Sequence, residues 1–430
     1  MTLKLVTDTD MMDKPPLLFL AHRIPYPPNK GDKIRSFNLL KTLAKDYRVY
    51  LGAFVDDKHD WQYESELRQY CAEVFLLGLG SRRKYQSLKG LVTGEALTLP
   101  YYRQSRMQRW IDHKINECSI TRAFVYSSAM AQYLEGDHYR QIHRVLDYVD
   151  VDSEKWREYS KRRIWPMSWL YRREAKELLR FDRRSAEVFD ASVFVSASEA
   201  ELFKRLAPES AQRVTHINNG VDYHYFDPAI VHENPYQEGP VLAFTGAMDY
   251  WANVDAVTWF VQKVFPAIQK KIPAVKFYIV GARPTDAVLK LGQKSGVSVT
   301  GSVEDIRPYI AHADVVVAPM RIARGVQNKV LEAMAMERPV VVTGAAMEGI
   351  EKLSGQRICD DAKSFTEYCL QLLNEGDTEQ TGKAGRQRIL RDFNWDQNLL
   401  KLETLFGDKA SIAKDTATEL NRDAVQEAAV

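Results

Sequence analysis

Short aliphatic and β-branched runs alternate along this chain with longer stretches whose apolar positions recur at three- and four-residue spacing. The runs read as buried strands and the longer stretches as amphipathic helices. In the first half, strands are expected at residues 17–21, 49–55, 74–77, 123–126, 145–146, 193–195 and 214–217, with helices such as 106–118 and 169–188 between them. Past Pro240 the alternation restarts, with strands at 241–245, 276–280, 297–300, 315–318 and 339–343 and helices at 254–272, 305–311, 362–373 and 399–406. Such alternation predicts mostly parallel sheets with right-handed crossovers. Three of the later strands run into Gly246, Gly281 and Gly301, where backbone can approach a ligand closely.

A chain of 430 residues exceeds the size at which one core stops growing, so two α/β domains are expected, 15–228 and 240–393, followed by a helix at 394–408. The polar, proline-containing stretch VHENPYQEGP at 231–240 is the candidate boundary. Hydrophobic residues make up 45% and charged residues 27%, a soluble balance, and no apolar run is long enough to span a bilayer. The first residues lack a basic region followed by an apolar stretch, so a cytoplasmic location is expected, and Cys71, Cys118, Cys359 and Cys369 read as reduced thiols. Residues 1–14 and 409–430 show no stable period and are expected to fray.

Net charge is only +2, yet residues 1–230 hold 36 basic against 31 acidic side chains, whereas residues 231–430 hold 23 against 26. Within the first half, residues 155–184 contain eleven basic and four acidic residues interleaved with Trp156, Tyr159, Trp165, Trp169, Tyr171 and Phe181. That mixture suits a peripheral contact with anionic lipid; a solvated basic helix with core aromatics explains it equally well. No nucleic-acid-binding motif accompanies it, so nucleic acid is not an expected partner.

The segment ARGVQNKVLEAMAMERPVVVT at 323–343 joins a glycine-opened helix to a buried strand. Gly325 lets the chain turn into a helix whose first N–H groups and positive dipole end suit an anion, and Lys329 and Glu332 fall three apart on one flank. A carboxylate there can accept hydrogen bonds from a sugar diol. An amphipathic helix with one solvated Glu and one solvated Lys is the plainer alternative. In an open α/β sheet ligands bind outside the carboxyl ends of strands, and those ends here include Gly31, Gly246, Gly281, Gly301 and Gly325.

Several segments together resemble the retaining glycosyltransferases of family 4: NNGVD at 218–222 with Phe226 and Pro228, FTG at 244–246, VTGSVED at 299–305, AHADVVVAPM at 311–320 and LEAMAMERPVVVT at 331–343. RIPYPPNKGDKIRS, LDYVDVDSEKW, MDYWANVDAV and GVQNKVLEAMA further resemble the sugar transferases of exosortase (PEP-CTERM) exopolysaccharide clusters. The resemblance implies the GT-B fold, two facing Rossmann-like domains with a cleft between them. The first would serve the acceptor, the second would bind the nucleotide sugar, and the 394–408 helix would pack back toward the first. It also implies a retaining, metal-independent transfer, with no cofactor, from a nucleotide-diphosphate sugar to a glycan or polyprenyl-linked acceptor at the inner face of the membrane.

The resemblance carries site roles as well. Gly31, Gly246, Val303, Gly325, Asn328, Lys329 and Glu332 are implied to bind the donor, with Glu332 on the ribose hydroxyls. Asp150, Arg324 and Lys329 are the candidate catalytic groups. The family's first motif glutamate is replaced by Arg324, and the Arg and Lys that neutralise the diphosphate correspond to Ala247 and Ala252. Arg324 and Lys329, with the helix N-terminus, are therefore expected to stabilise the departing diphosphate. Lys33 and Arg35 behind Gly31 would face phosphates or acceptor, unless the loop is a plain helix cap. Asp147, Asp150 and Asp152 resemble a metal-binding Asp pair, but Asp150 at the cleft edge and Asp152 or Ser153 as a helix cap fit the rest of the pattern better. His22 would hydrogen-bond substrate or be structural. Ser196, Ser198 and Glu199 fit a helix cap, Asn219 and Gly220 a hinge turn with Gly220 at positive φ, and residues 348–350 a donor contact or a tight turn. A sugar-nucleotide epimerase of the same fold and a non-catalytic donor-binding protein are the alternatives: an acceptor-dependent product excludes the first, turnover the second.

Overall fold

The computed structural model describes residues 14–406 apart from 29, 81–82, 162, 324, 354–355 and 376–377, so of the segments expected to fray, 1–14 and 409–430, all but Lys14 lie outside the described residues, and Lys14 donates to Ala44 O at 3.0 Å. The chain divides into two compact units, one of residues 1–217 together with 399–430 and one of residues 218–398.

In the first unit β1 (Pro16–Ala21), β2 (Arg48–Val55), β3 (Glu73–Gly78), β4 (Arg122–Tyr126), β5 (His143–Val149), β6 (Ala191–Phe194) and β7 (Val214–His216) form one parallel sheet in the order β3-β2-β1-β4-β5-β6-β7. Side chains 17–21 are wholly buried, as expected of a strand covered on both faces. β5 is longer than its apolar pattern predicts, because its polar members are satisfied internally: the His143 ring meets the Leu405 carbonyl oxygen, Arg144 donates to Leu134 O, and Asp147 pairs with Arg35. The helices that matter below are α1 (Gly31–Asp46), α2 (Arg83–Ser87), α3 (Lys89–Thr93), α4 (Asp152–Lys161) and α5 (Met167–Val188). The chain re-enters this unit with a short helix, Lys401–Leu405, and buries Phe406 against Tyr47 and Phe124.

In the second unit β8 (Val241–Thr245), β9 (Lys276–Val280), β10 (Val297–Gly301), β11 (Val315–Ala318) and β12 (Val340–Val342) form a parallel sheet in the order β10-β9-β8-β11-β12. The polar stretch before β8 belongs to this unit: Phe226 joins its core and the Tyr236 hydroxyl donates to Tyr309 O. The helix expected at 254–272 is interrupted. α6 (Trp251–Trp259) passes through a wide turn at 260–264 before Phe265–Lys271, where Pro266 brings no N–H. Gly220 is not at positive φ as expected; a Cβ there would lie 2.6 Å from Cγ of Trp395, so close packing is what selects glycine. The helix Thr378–Asp392 was not foreseen, because Gly382 and Gly385 break its pattern. Both face the helix α7 (Asn328–Ala335) and the turn after it, and a Cβ on Gly382 would meet Glu337 O at 2.1 Å. In each unit the strand order reverses beside the first strand, between β1 and β4 and between β8 and β11, which is where such sheets take ligands.

Candidate functional site

At the reversal point of the second unit, three loops leave strand ends as left-handed glycines: Gly246 at φ +152°, Gly281 at +153° and Gly301 at +73°. Their backbones are layered, with Gly246 N donating to Val280 O at 3.0 Å and Gly281 N to Gly301 O at 3.2 Å. A Cβ on Gly281 would lie 1.7 Å from Gly246 O, so no other residue fits. β11 leads through Arg321, paired with Asp255, to Gly325, which is buried at φ +69° and turns the chain into α7. The Gln327 side chain donates to Gly325 O at 3.0 Å and holds that turn.

Lys329 and Glu332 lie on one flank of α7, both partly buried, and do not form an ion pair with each other. Lys329 Nζ donates to Oδ1 of Asn253 at 3.2 Å and sits 5.3 Å from the centre of the Phe244 ring. Asn253, buried in the first turn of α6, donates its own N–H to Ala247 O at 2.9 Å and so ties the ammonium to the Gly246 loop. Glu332 has no hydrogen-bond or ion-pair partner among the described residues. Burial lowers the Lys329 ammonium to about 8, with Glu332 pulling it back up. Burial raises the Glu332 carboxyl to about 7, with Lys329 opposing. Desolvation outweighs their mutual attraction at both groups, and neither has an ion-pair partner among the described residues.

At the reversal point of the first unit, His22 follows β1, stacks on Tyr126 and lies 3.7 Å from Oδ2 of Asp32. Its burial lowers the imidazole pKa against the pull of Asp32, and its Nδ1 is enclosed without a hydrogen-bond partner among the described residues. Asp150 follows β5 through Val149, which sits at φ +70°, a conformation a β-branched residue rarely adopts, at a break in the β5–β6 register. One oxygen, Oδ2, accepts from Lys155 at 2.7 Å; the other, Oδ1, is enclosed and has no partner among the described residues. Glu199 fixes the same loop by accepting from Val151 N at 2.6 Å, while the Ser196 hydroxyl caps its helix by accepting from Glu199 N at 3.3 Å.

The structure thus brings Gly246, Gly325, Asn328, Lys329 and Glu332 to one end of the second sheet. Val303 is in the turn after β10 and lines a shallow depression with Asn234, Pro235 and Thr300, which groups it with the 233–235 segment rather than with Lys329. Arg324 lies outside the described residues. Gly31 opens α1, but the cations behind it are not available to phosphate: Lys33 is buried 2.6 Å from Asp60, and Arg35 is wholly buried against Asp147 at 2.9 Å. That expectation is corrected, because each cation has its own buried carboxylate. The three aspartates divide likewise, Asp147 to Arg35 and both Asp150 and Asp152 to Lys155. Residues 348–350 form a tight turn, with Gly349 at φ +76° and Ile350 N donating to Met347 O. Asn253 was missed by the sequence reading. Its only signal is a polar residue on the inner face of an otherwise apolar first turn, beside the alanines that were noticed.

Residues 239–375 match the family model described as Glycosyl transferases group 1. No curated protein matches the chain. Among solved structures, a sucrose-phosphate synthase from Thermosynechococcus elongatus is similar at 16% identity and TM-score 0.64, covering 91% of this chain and 98% of that one. WaaG, a glycosyltransferase involved in lipopolysaccharide biosynthesis, is similar at 13% identity and TM-score 0.63, covering 91% and 100%. HepE of Anabaena, solved in complex with UDP-glucose, is similar at 15% identity and TM-score 0.61, covering 91% and 99%. The fold is therefore GT-B, and the second unit carries a glycosyltransferase domain: the protein is a glycosyltransferase.

Proposed function

We propose that this glycosyltransferase moves a sugar from a nucleotide-diphosphate donor to a polyprenyl-linked glycan during exopolysaccharide assembly, with retained anomeric configuration and without a metal or cofactor. The observation that carries the reading is the Lys329–Glu332 flank of α7, two uncompensated charges beside three layered glycine loops. Glu332 accepts hydrogen bonds from the ribose diol. Lys329, held by Asn253, and the first N–H groups of α7 at Asn328 receive the diphosphate, whose charge grows as the bond from the sugar's C1 to the phosphate oxygen breaks. Gly246 and Gly325 keep the approach free of side chains, and Arg324 adds a cation that replaces those absent at Ala247 and Ala252.

In the first unit, Oδ1 of Asp150 and Nδ1 of His22, both enclosed and without a partner among the described residues, are polar atoms that an acceptor hydroxyl would satisfy. The bond to C1 forms from the acceptor oxygen, and the hydroxyl proton leaves with the departing diphosphate. HepE has been solved with UDP-glucose and WaaG acts in lipopolysaccharide biosynthesis, both in keeping with this reading. Incubating the chain with UDP- and GDP-sugars, with and without a polyprenyl diphosphate glycan, tests it. Acceptor-dependent release of nucleotide diphosphate, lost in Lys329→Ala and Asp150→Ala, is the expected result. Donor binding without turnover under any acceptor would make the protein a non-catalytic binder, and interconversion of the sugar without acceptor an epimerase.

A further inference from the structure

Residues 155–184 do not form one interfacial helix. They divide into α4 and α5, with a turn described at 163–166 before α5, and their aromatics divide between two environments. Trp156 packs on Tyr159 and Tyr171 at centroid distances of 6.0 and 5.2 Å, and Phe181 is buried. Ile164, Trp165 and Trp169 point to solvent, Trp165 with 78% of its surface exposed. A second run of exposed apolar residues, Leu88, Leu91 and Val92, lies on and just before α3, with Val92 91% exposed. The two runs are neighbours. The Arg173 guanidinium of α5 donates to Gly90 O at 2.6 Å and to Glu95 O at 3.1 Å, and Glu174 accepts from Leu97 N and Thr98 N. Trp169 sits one turn before Arg173 on the same flank of α5, which places it beside α3.

We propose that the α2–α3 segment and the α4–α5 turn together form one surface that docks on an anionic lipid bilayer, with Val92, Leu91, Trp165 and Trp169 entering the headgroup region. Charge complementarity selects this occupant. Residues 81–94 carry four basic and no acidic residues, and residues 159–173 carry five basic and no acidic residues. Two carboxylates that flank these segments are engaged: Glu95 binds Arg103, and Glu174 accepts from Leu97 N, Thr98 N and the Thr98 hydroxyl. A rim of Lys89, Lys161, Arg163 and Arg172 around exposed tryptophans fits phosphate over acyl chain, whereas a protein interface of this size would bring acidic partners of its own. No described helix is long and apolar enough to cross a membrane, so attachment by this surface would be peripheral and reversible. The inference deepens the lipid-linked acceptor reading but does not rest on turnover, since docking needs neither donor nor acceptor.

The full chain is tested by flotation with vesicles of phosphatidylcholine alone and with about a third phosphatidylglycerol. Binding is expected only to the anionic vesicles and should fall as salt rises. Trp165→Ser with Trp169→Ser, and separately Leu91→Ser with Val92→Ser, should each lower partitioning by about tenfold while circular dichroism and nucleotide-sugar binding stay unchanged. No binding to anionic vesicles overturns the proposal. Wild-type partitioning of the Leu91/Val92 variant removes α3 from the surface, and a dimer in light scattering that the Trp165/Trp169 variant dissociates would make the patch an interface between copies. Vesicle binding without donor binding would instead fail the transferase reading and leave this one standing.

Discussion

Replacing Glu332 by Gln keeps the shape and removes the charge, and the sign of its effect on stability follows from the site. Burial raises this carboxyl from 4.5 to about 7 in the folded chain, so above pH 7 the fold holds an ionised group that it binds less well than water does. A folded pKa above the unfolded one means that the penalty is absent below 4.5, grows through the interval to about 7 and is complete above it. At about 1.4 kcal/mol per pH unit the full gap is about 3 kcal/mol. The attraction to Lys329 is already contained in that value, and partial exposure screens part of it, leaving a net gain of about 1–2 kcal/mol for Glu332→Gln. Urea-dependent hydrogen exchange in the second unit measures this without assuming that both units unfold together. The variant should be more stable than the parent at about pH 8 and close to it at about pH 5, while its affinity for a nucleotide sugar falls by about tenfold or more. Loss of stability at the higher pH, an equal gain at both, or unchanged donor affinity would show that Glu332 is a structural carboxylate and refute the reasoning.

Donor affinity itself should pass through a maximum between about pH 7 and 8, rising as Glu332 ionises and falling as Lys329 loses its proton; calorimetry of the parent shows both limbs and Glu332→Gln only the alkaline one. Asn253→Ala frees the Lys329 ammonium and the Ala247 carbonyl, and should weaken donor binding about tenfold while costing about 1 kcal/mol of stability. Gly281→Ala places a Cβ 1.7 Å from Gly246 O in a left-handed conformation, so the second unit should melt far below the parent, whereas Gly301→Ala, with open space around it, should cost only about 1 kcal/mol of backbone strain. Arg35→Met strands the buried Asp147 charge and should destabilise the first unit by about 3–5 kcal/mol; adding Asp147→Leu should recover part of the loss, as unfolding curves of the single and double variants will show.

The second sheet was legible almost to the residue, with strands at 241–245, 276–280 and 315–318 found where expected, because buried parallel strands are short, mostly apolar runs bounded by glycine or proline. β5 was read only at its centre. His143, Arg144 and Asp147 look like loop chemistry until their distant partners are known, and those partners lie far along the chain at Leu405, Leu134 and Arg35. The same limit explains the helix carrying Gly382 and Gly385, where Gly382 is demanded by the close backbone of the turn at Glu337 rather than by anything local.

Cations separate the two kinds of information most clearly. Lys33, Arg35 and Lys329 each follow a glycine-opened turn into a helix, and composition alone gives all three the same claim on a phosphate. In the folded chain Lys33 faces Asp60 and Arg35 faces Asp147, so both cations are committed to carboxylates of the fold. Among the described residues Lys329 faces an amide oxygen and an aromatic ring, with a carboxylate one turn away that has no hydrogen-bond or ion-pair partner among them. A buried ion-pair partner offsets part of a charge's desolvation cost, whereas a buried charge without one carries a cost that a bound ligand can relieve. The second condition is met on α7, and a diphosphate beside the ammonium with hydroxyls on the carboxylate is the ligand chemistry that relieves both groups at once.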